Sequence, residues 1–270
     1  MNSLKKIFTR KTNNVFGMIH VKALPGTPLF KGNVNKIVDD ACREAEIYSK
    51  CGIDGIVVEN MHDVPYIHAQ YVGPEIVSMM TRICSSIRKI VPHNIPCGLQ
   101  ILAAANEEAL AVAQTSNFQF IRAEGFIFGH VADEGYIDAC AGKLLRYRKT
   151  IEAQDICIFT DIKKKHSSHA ITQDVSLIET AKAATFFLSD GIIVTGNATG
   201  HPAEPQDVLD VKQSVQVPVL VGSGITVCNV HKYLGVDGFI IGSHFKQSGK
   251  WENELDETSI KNLMNRINEF

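Results

Sequence analysis

A strong charge of either sign is missing from this chain: 27 Lys and Arg stand against 29 Asp and Glu, a formal net charge of -2. Nucleic-acid binding needs a basic face that neutralises phosphates, so no nucleic-acid partner is expected and a small molecule becomes the default ligand. Long hydrophobic runs are missing too. The longest, Cys97 to Ala105 and Gly238 to Gly242, fall well short of the ~20 residues that cross a bilayer, so no membrane span is expected. Paired cysteines are also absent: Cys42, Cys51, Cys84, Cys97, Cys140, Cys157 and Cys228 are odd in number, scattered and never spaced C-x-x-C. That usage fits reduced, mostly buried thiols and a cytoplasmic setting rather than a disulfide framework. Residues 1–14 form a basic N-terminal tail with Lys5, Lys6, Arg10, Lys11 and no acid. In charge it is like a mitochondrial presequence, and a mitochondrial address is the alternative location.

What the chain does contain is a repeated unit. Nearly continuous aliphatic runs occur at Val15 to Val21, Gly55 to Val58, Gly98 to Leu102, Phe118 to Ala123, Ile156 to Thr160, Gly191 to Thr195, Val217 to Val221 and Gly238 to Ile241. Runs without polar alternation are what strands buried on both faces look like. Helical periodicity lies between them, as in Val34, Ile37, Val38, Ala41, Ala45 and Tyr48, and again in Ile260, Leu263, Met264 and Ile267. The mean step between runs, about 32 residues, matches one βα unit, and no Pro/Ser-rich linker interrupts the series. The fold class expected is α/β, a single (β/α)8 TIM barrel over residues 15–270. An open doubly wound sheet is the competitor, but it favours a Gly-rich turn after its first strand, where this chain reads HVKALPG. Asp54-Gly55, Asp190-Gly191 and Asp237-Gly238 each precede a strand, as expected if glycine supplies a positive-φ turn.

In such a barrel the chemistry sits at the C-terminal strand ends. The polar residues there are His20 and Lys22 after the first run, Glu59 and Asn60 after the second, Gln100 in the third, and Arg122 and Glu124 after the fourth. Asp161 and Lys163 follow the fifth, Thr195, Gly196 and Asn197 the sixth, Gly222, Ser223 and Gly224 the seventh, and Gly242 and Ser243 the eighth. A period of two aims His20 with Lys22, Arg122 with Glu124, and Asp161 with Lys163 to one side. Each pair alone fits an internal salt bridge as well as a ligand contact; convergence from several strands favours function.

Gly-Ser at the ends of the last two strands, in VLVGSGI and FIIGSHF, is the pattern with which barrels hold phosphate, because small residues let backbone N–H groups approach an anion. The Gly- and Pro-rich stretch Thr195 to Pro205 reads as a loop that could close over a ligand. His166 and His169 are spaced H-x-x-H without a Glu or Cys partner, so a divalent metal is unsupported by any tight motif, and no cofactor is identified. The apolar stretch Tyr71 to Met80 suits either a homo-oligomer contact or ordinary core packing.

GMIHVKALPG from Gly17, VEN-x-x-D-x-P from Val58, LLRYRK at Leu144, D-x-x-x-K-H from Asp161, TG-x-x-TG-x-P from Thr195, VPVLVGSGI at Val217 and DGFIIGSHFK-x-x-G-x-W from Asp237 together resemble the BtpA/SgcQ family over nearly the whole chain. The resemblance implies a phosphate-binding (β/α)8 barrel. It also implies either a role like the namesake's in photosystem I biogenesis or a sugar- or nucleoside-directed activity of nucleosidase kind. Positions that match are His20, Glu59, Asn60, Asp63, Asp133, Asp161, Lys165, His166, Thr195, Gly196, Gly200, Gly222, Ser223, Gly224, Gly242 and Ser243. One stretch departs: the family pattern N-V-L-x-N-D after the third strand is replaced here by Gln100-Ile101-Leu102-Ala103-Ala104-Ala105-Asn106, an altered loop that could reflect a changed substrate or a lost catalytic component.

The reading that results is an enzyme, a lyase, isomerase or hydrolase, acting on a phosphorylated sugar or nucleoside-like molecule. Its anion would bind the Gly-Ser turns with Thr195, Gly196, Asn60, Arg122 and Glu124 nearby. Asp161 and Glu59 would be general acid/base groups, Lys22 or Lys163 a charge-stabilising partner, and His20 or His166 a proton shuttle. The alternative is a non-catalytic barrel that senses a small ligand or assists assembly of a complex.

Overall fold

The computed structural model describes residues 3–196 and 198–270; Asn197 lies outside the described residues. In chain order the strands are β1 (Asn14–His20), β2 (Gly55–Glu59), β3 (Cys97–Gln100), β4 (Phe120–Ala123), β5 (His130–Ala132) and β6 (Gly135–Ile137). They continue with β7 (Cys157–Ile162), β8 (Ser167–Ser168), β9 (Gly191–Val194), β10 (Val219–Val221) and β11 (Gly238–Ile241). The α-helices are α1 (Leu4–Ile7), α2 (Val34–Lys50), α3 (Pro74–Ile90), α4 (Asn106–Thr115), α5 (Ala141–Thr150), α6 (Leu177–Phe186), α7 (Pro205–Ser214) and α8 (Glu257–Asn268). Eight parallel strands close in the order β1-β11-β10-β9-β7-β4-β3-β2, each at one of the eight aliphatic runs. Helices follow every barrel strand except β10, where a 3-10 turn at Val230–Tyr233 takes the place.

Period-two alternation sorts the buried side chains into two sets. Val15, Ile19, Ile56, Val58, Ile121 and Ile192 pack outward under the helices. Phe16, Met18, Val57, Phe120, Phe159, Ile193, Leu220 and Ile240 fill the interior. Three of the interior rings need glycine opposite them: a Cβ on Gly55, Gly98 or Gly191 would lie 2.4, 2.1 or 2.4 Å from Phe16, Phe120 or Phe159. This corrects the turn reading of the Asp-Gly pairs, since Gly55, Gly191 and Gly238 have no positive φ. The aspartates instead lace adjacent strands. Asp54, Asp190 and Asp237 accept from the backbone N–H of Val15, Ile158 and Val219 at 3.0, 2.8 and 2.7 Å, and Arg10, Arg148 and Lys212 pair with them.

The segment before β1 packs on the N-terminal end of the barrel, with Ile7 fully buried and Phe8 against the rings of Phe16 and Phe159. On the opposite end sits a small antiparallel sheet, β6-β5-β8, contributed by the loops after β4 and β7. Its two- and three-residue strands carry no run that sequence reasoning could detect. The Tyr71 to Met80 stretch is divided: Ile76, Met79 and Met80 are buried in the core, while Tyr71 is 69% exposed. Among the described residues no helix is long and apolar enough to cross a membrane.

Candidate active site

Two adjoining cavities, of about 160 and 210 Å³, open at the C-terminal strand ends and share Glu59, Met61, Arg122, Lys165 and Thr199. The first is walled by the Gly-Ser turns. Gly222, Ser223 and Gly224 follow β10, and Gly242 and Ser243 follow β11; all five line it. Gly224 has φ +69°, and a Cβ there would lie 2.2 Å from the Pro202 nitrogen, so only glycine lets the two loops touch. Ser223 Oγ accepts from Gly196 N at 2.7 Å and donates to His201 O at 2.8 Å. The Ser223 hydroxyl therefore binds the β9 loop to the β10 turn, as does the Gly222 N–H, which donates to Val194 O at 2.8 Å.

The second cavity holds the charges. Arg122 meets Asp161 in a two-pronged ion pair, Nε to Oδ2 and Nη2 to Oδ1, both 2.8 Å. Burial alone would weaken the guanidinium's charge, but Asp161 outweighs it and holds the proton more tightly. Lys164 Nζ donates to Glu124 Oε1 at 3.2 Å, and Glu124 Oε2 accepts from Ala104 N at 3.0 Å. Burial opposes ionisation of Glu124, yet Lys164 and these hydrogen bonds leave its carboxyl below the usual range. The alanine loop thus meets Glu124 through its main chain, while Asn106 Nδ2 donates to the Glu124 carbonyl at 2.7 Å.

Glu59 and Lys165 line both cavities outside these pairs. Burial raises the Glu59 carboxyl pKa despite Arg122 and Lys165 nearby. Burial, then Arg122, lowers that of the Lys165 ammonium. Both shifts move the groups toward neutrality, the condition for proton transfer near pH 7. His20 Nε2 lies 3.9 Å from Glu59 Oε2, and its Nδ1 meets Trp251 O at 3.2 Å. Burial and Lys246 hold His20 far below its ordinary pKa, so the ring is neutral.

The structure therefore brings together His20, Glu59, Arg122, Glu124, Asp161 and His166 with the five turn residues. It separates others. Lys22 Nζ reaches Glu252 O at 3.3 Å beside a different groove. Lys163 does not continue the parity of Asp161: β7 ends at Ile162, Lys163 has φ +43°, and its Nζ donates to Thr172 O at 3.1 Å. That kink swings Lys164 and Lys165 into the mouth instead. Asn60 braces loops, with Nδ2 on Asp63 at 2.9 Å and Oδ1 accepting from Leu102 N at 2.8 Å. Thr195 and Gly196 lie behind the turn, where a Cβ on Gly222 would come within 3.1 Å of Thr195 Cγ2 and one on Gly196 within 2.4 Å of His201 O. His166 Nε2 contacts Thr199 Oγ1 at 2.9 Å, and His169 Nε2 contacts Lys164 O at 3.0 Å, so the H-x-x-H pair diverges.

Residue reasoning missed Lys164, Met61, Tyr66 and Trp251. Lys165 was carried only by the family motif, and Trp251 ends another such motif; nothing local marks Tyr66.

This geometry defines a (β/α)8 barrel with a glycine- and serine-lined recess beside a charged, largely paired mouth. The BtpA family profile matches residues 11–269. An uncharacterized Caenorhabditis elegans protein designated mitochondrial is 50% identical over 98% of this chain and 96% of its own. The photosystem I biogenesis protein BtpA of Synechocystis is 32% identical over 92% of this chain and 85% of its own. The chain belongs to the BtpA family. In fold it is similar to (S)-3-O-geranylgeranylglyceryl phosphate synthase from Thermoplasma acidophilum, solved with its substrate sn-glycerol-1-phosphate, with a TM-score of 0.61 at 16% identity over 100% of this chain and 98% of that one.

Proposed function

We propose that this protein is an enzyme acting on a small phosphorylated sugar or nucleoside-like molecule by proton transfer. The observation that carries the reading is the pairing pattern of the mouth: Arg122 with Asp161 and Lys164 with Glu124, leaving Glu59 and Lys165 outside those pairs where the two cavities join. The phosphate rests on backbone N–H groups of the Gly-Ser turns, as anions do on such turns. Arg122, oriented by Asp161, faces the junction and stabilises negative charge that develops there. Glu59 accepts a proton from the substrate and Lys165 donates one, the raised carboxyl and lowered ammonium narrowing the gap between them. Asp161, with both oxygens on Arg122, acts as orienter in this scheme. The similar barrel solved with a glycerol phosphate supports the choice of ligand class. Seven unpaired thiols suit a reducing compartment, and the C. elegans relative's designation favours the mitochondrion.

The test is a melting-temperature screen against sugar phosphates and nucleotides, followed by mass-spectrometric detection of product from any stabilising compound. Glu59→Gln and Lys165→Met should retain the stabilisation and lose about 10²- to 10⁴-fold in turnover. If no phosphorylated compound raises the melting temperature, or if both variants turn substrate over like the wild type, the reading falls. A ligand that stabilises without ever being converted would instead favour a sensing or assembly role.

A further inference from the structure

The two halves of the mouth differ in chemistry. Three strands separate β3 from β10 in either direction around the barrel, so Gln100 at the end of β3 lies diametrically across from the Gly-Ser turn after β10. Gln100 is 3% exposed and lines the second cavity. Its Oε1 is buried with no hydrogen-bond partner among the described residues. A buried acceptor without a partner is unfavourable, and folded proteins keep few of them without a reason. The same cavity is lined by Met61, Tyr66, Leu102 and Trp251 and by the charged groups of Arg122, Glu124, Asp161, Lys164 and Lys165. Tyr66 is fixed by its hydroxyl on Met61 O at 2.8 Å, and Trp251 lies against His62 with ring centroids 4.9 Å apart. A cavity with two aromatic rings among its charged walls and one unsatisfied buried acceptor fits a flat polar group that carries an N–H.

We propose that the ligand spans the barrel mouth: a phosphate monoester at the β10 and β11 turns, and at its far end a flat amide-like or nitrogen-heterocyclic head beside Trp251 that donates to Gln100 Oε1. This rests on the phosphate reading above and adds what lies at the other end. Glu59, Arg122 and Lys165, common to both cavities, would then face the middle of the ligand, where the head joins the phosphorylated part. Specificity follows from the buried acceptor, because a ligand without the N–H leaves Oε1 unpaired.

The chain has one tryptophan, so its emission reports on this slot directly. The wild type is titrated with inorganic phosphate, ribose 5-phosphate, uridine 5′-monophosphate and adenosine 5′-monophosphate, following Trp251 fluorescence and heat of binding. At least one nucleotide should bind about tenfold or more tighter than ribose 5-phosphate and change the Trp251 emission, while ribose 5-phosphate leaves it unaltered. Gln100→Leu and the unbranched Gln100→Met should erase the nucleotide's advantage and keep the ribose 5-phosphate affinity, which also shows that they fold. If ribose 5-phosphate binds and neither nucleotide binds better, the head-group inference is overturned and the phosphate reading stands. If neither phosphate nor any phosphate ester binds, both fall. If a nucleotide binds tightly and both variants match the wild type, the role of Gln100 is overturned.

Discussion

Burial lowers the pKa of five imidazoles at and around the mouth, His20, His62, His130, His166 and His244, and they contribute to how the protein responds to acid. Burial, followed by the nearby lysines, lowers His62 and His130 to about 4 and His20 far below its ordinary value. A histidine whose folded pKa is depressed contributes stability that is present above its unfolded pKa and lost as pH falls toward the folded one. Glu59 works in the other direction: its raised carboxyl gives stability that is present at low pH and lost as pH rises through its folded pKa. Glu44 and Asp63 are raised by burial in the same way; with five lowered histidines and the lowered Glu124 against these three carboxyls, stability measured by urea unfolding should fall as pH is lowered from about 6.5 to about 4. His62→Gln should make that decline shallower, by less than the ~1.4 kcal/mol per pH unit of a whole proton because the ring is partly exposed to solvent. A wild-type stability that is flat or rising toward acid would contradict the assignment. At this scale the sequence was legible where a side chain sits on a regular strand, as Glu59, Arg122 and Asp161 do. It failed one residue past the end of β7, where the positive φ of Lys163 broke the alternation and exchanged it for Lys165.

Elements were more legible than their junctions. Each aliphatic run became a strand because burial on both faces leaves no room for polar alternation, and α2 follows its apolar stripe from Val34 to Tyr48. The small sheet β6-β5-β8 and the 3-10 turn after β10 escaped notice because they are too short to show a period. The loop contact beside the Gly-Ser turns is visible only in three dimensions, where Gly224 touches Pro202. Gly224→Ala combines a left-handed residue, costing about 1–2 kcal/mol, with a collision against main chain that must move the 198–203 loop. Gly235→Ala is the matched control: its φ is +95°, and a Cβ there meets nothing within 4 Å. Both variants should lose stability in denaturant titrations, but only Gly224→Ala should also weaken the melting-temperature rise given by phosphate compounds. Equal ligand responses in the two would mean that this loop contact does not shape the site.

At the scale of the whole molecule the barrel has a packed N-terminal end and a C-terminal end at which the proposed ligand would bind, and on that proposal the two should be separable. The interior between them is filled with Phe16, Phe120, Phe159 and their neighbours, so it transmits no solvent and the mouth has a solid floor. The far end is covered by a segment that no periodicity identifies: four residues of helix, with fully buried Ile7, followed by Phe8 against the Phe16 and Phe159 rings. Arg10 then fastens this segment to Asp54 at 2.7 Å, beside the Val15 N–H that Asp54 also holds. Ile7→Ala removes apolar volume from the interior cluster without touching a strand end, and should cost about 2–5 kcal/mol in urea unfolding. Its effect on ligand affinity should be nil, because the packed rings lie between Ile7 and the Glu59, Arg122 and Lys165 junction. Comparing the affinity for a stabilising phosphate ester in wild type and Ile7→Ala at a temperature where both are folded checks this. A loss of affinity equal to the loss of stability would show that the floor is compliant and that the two ends of the barrel are coupled.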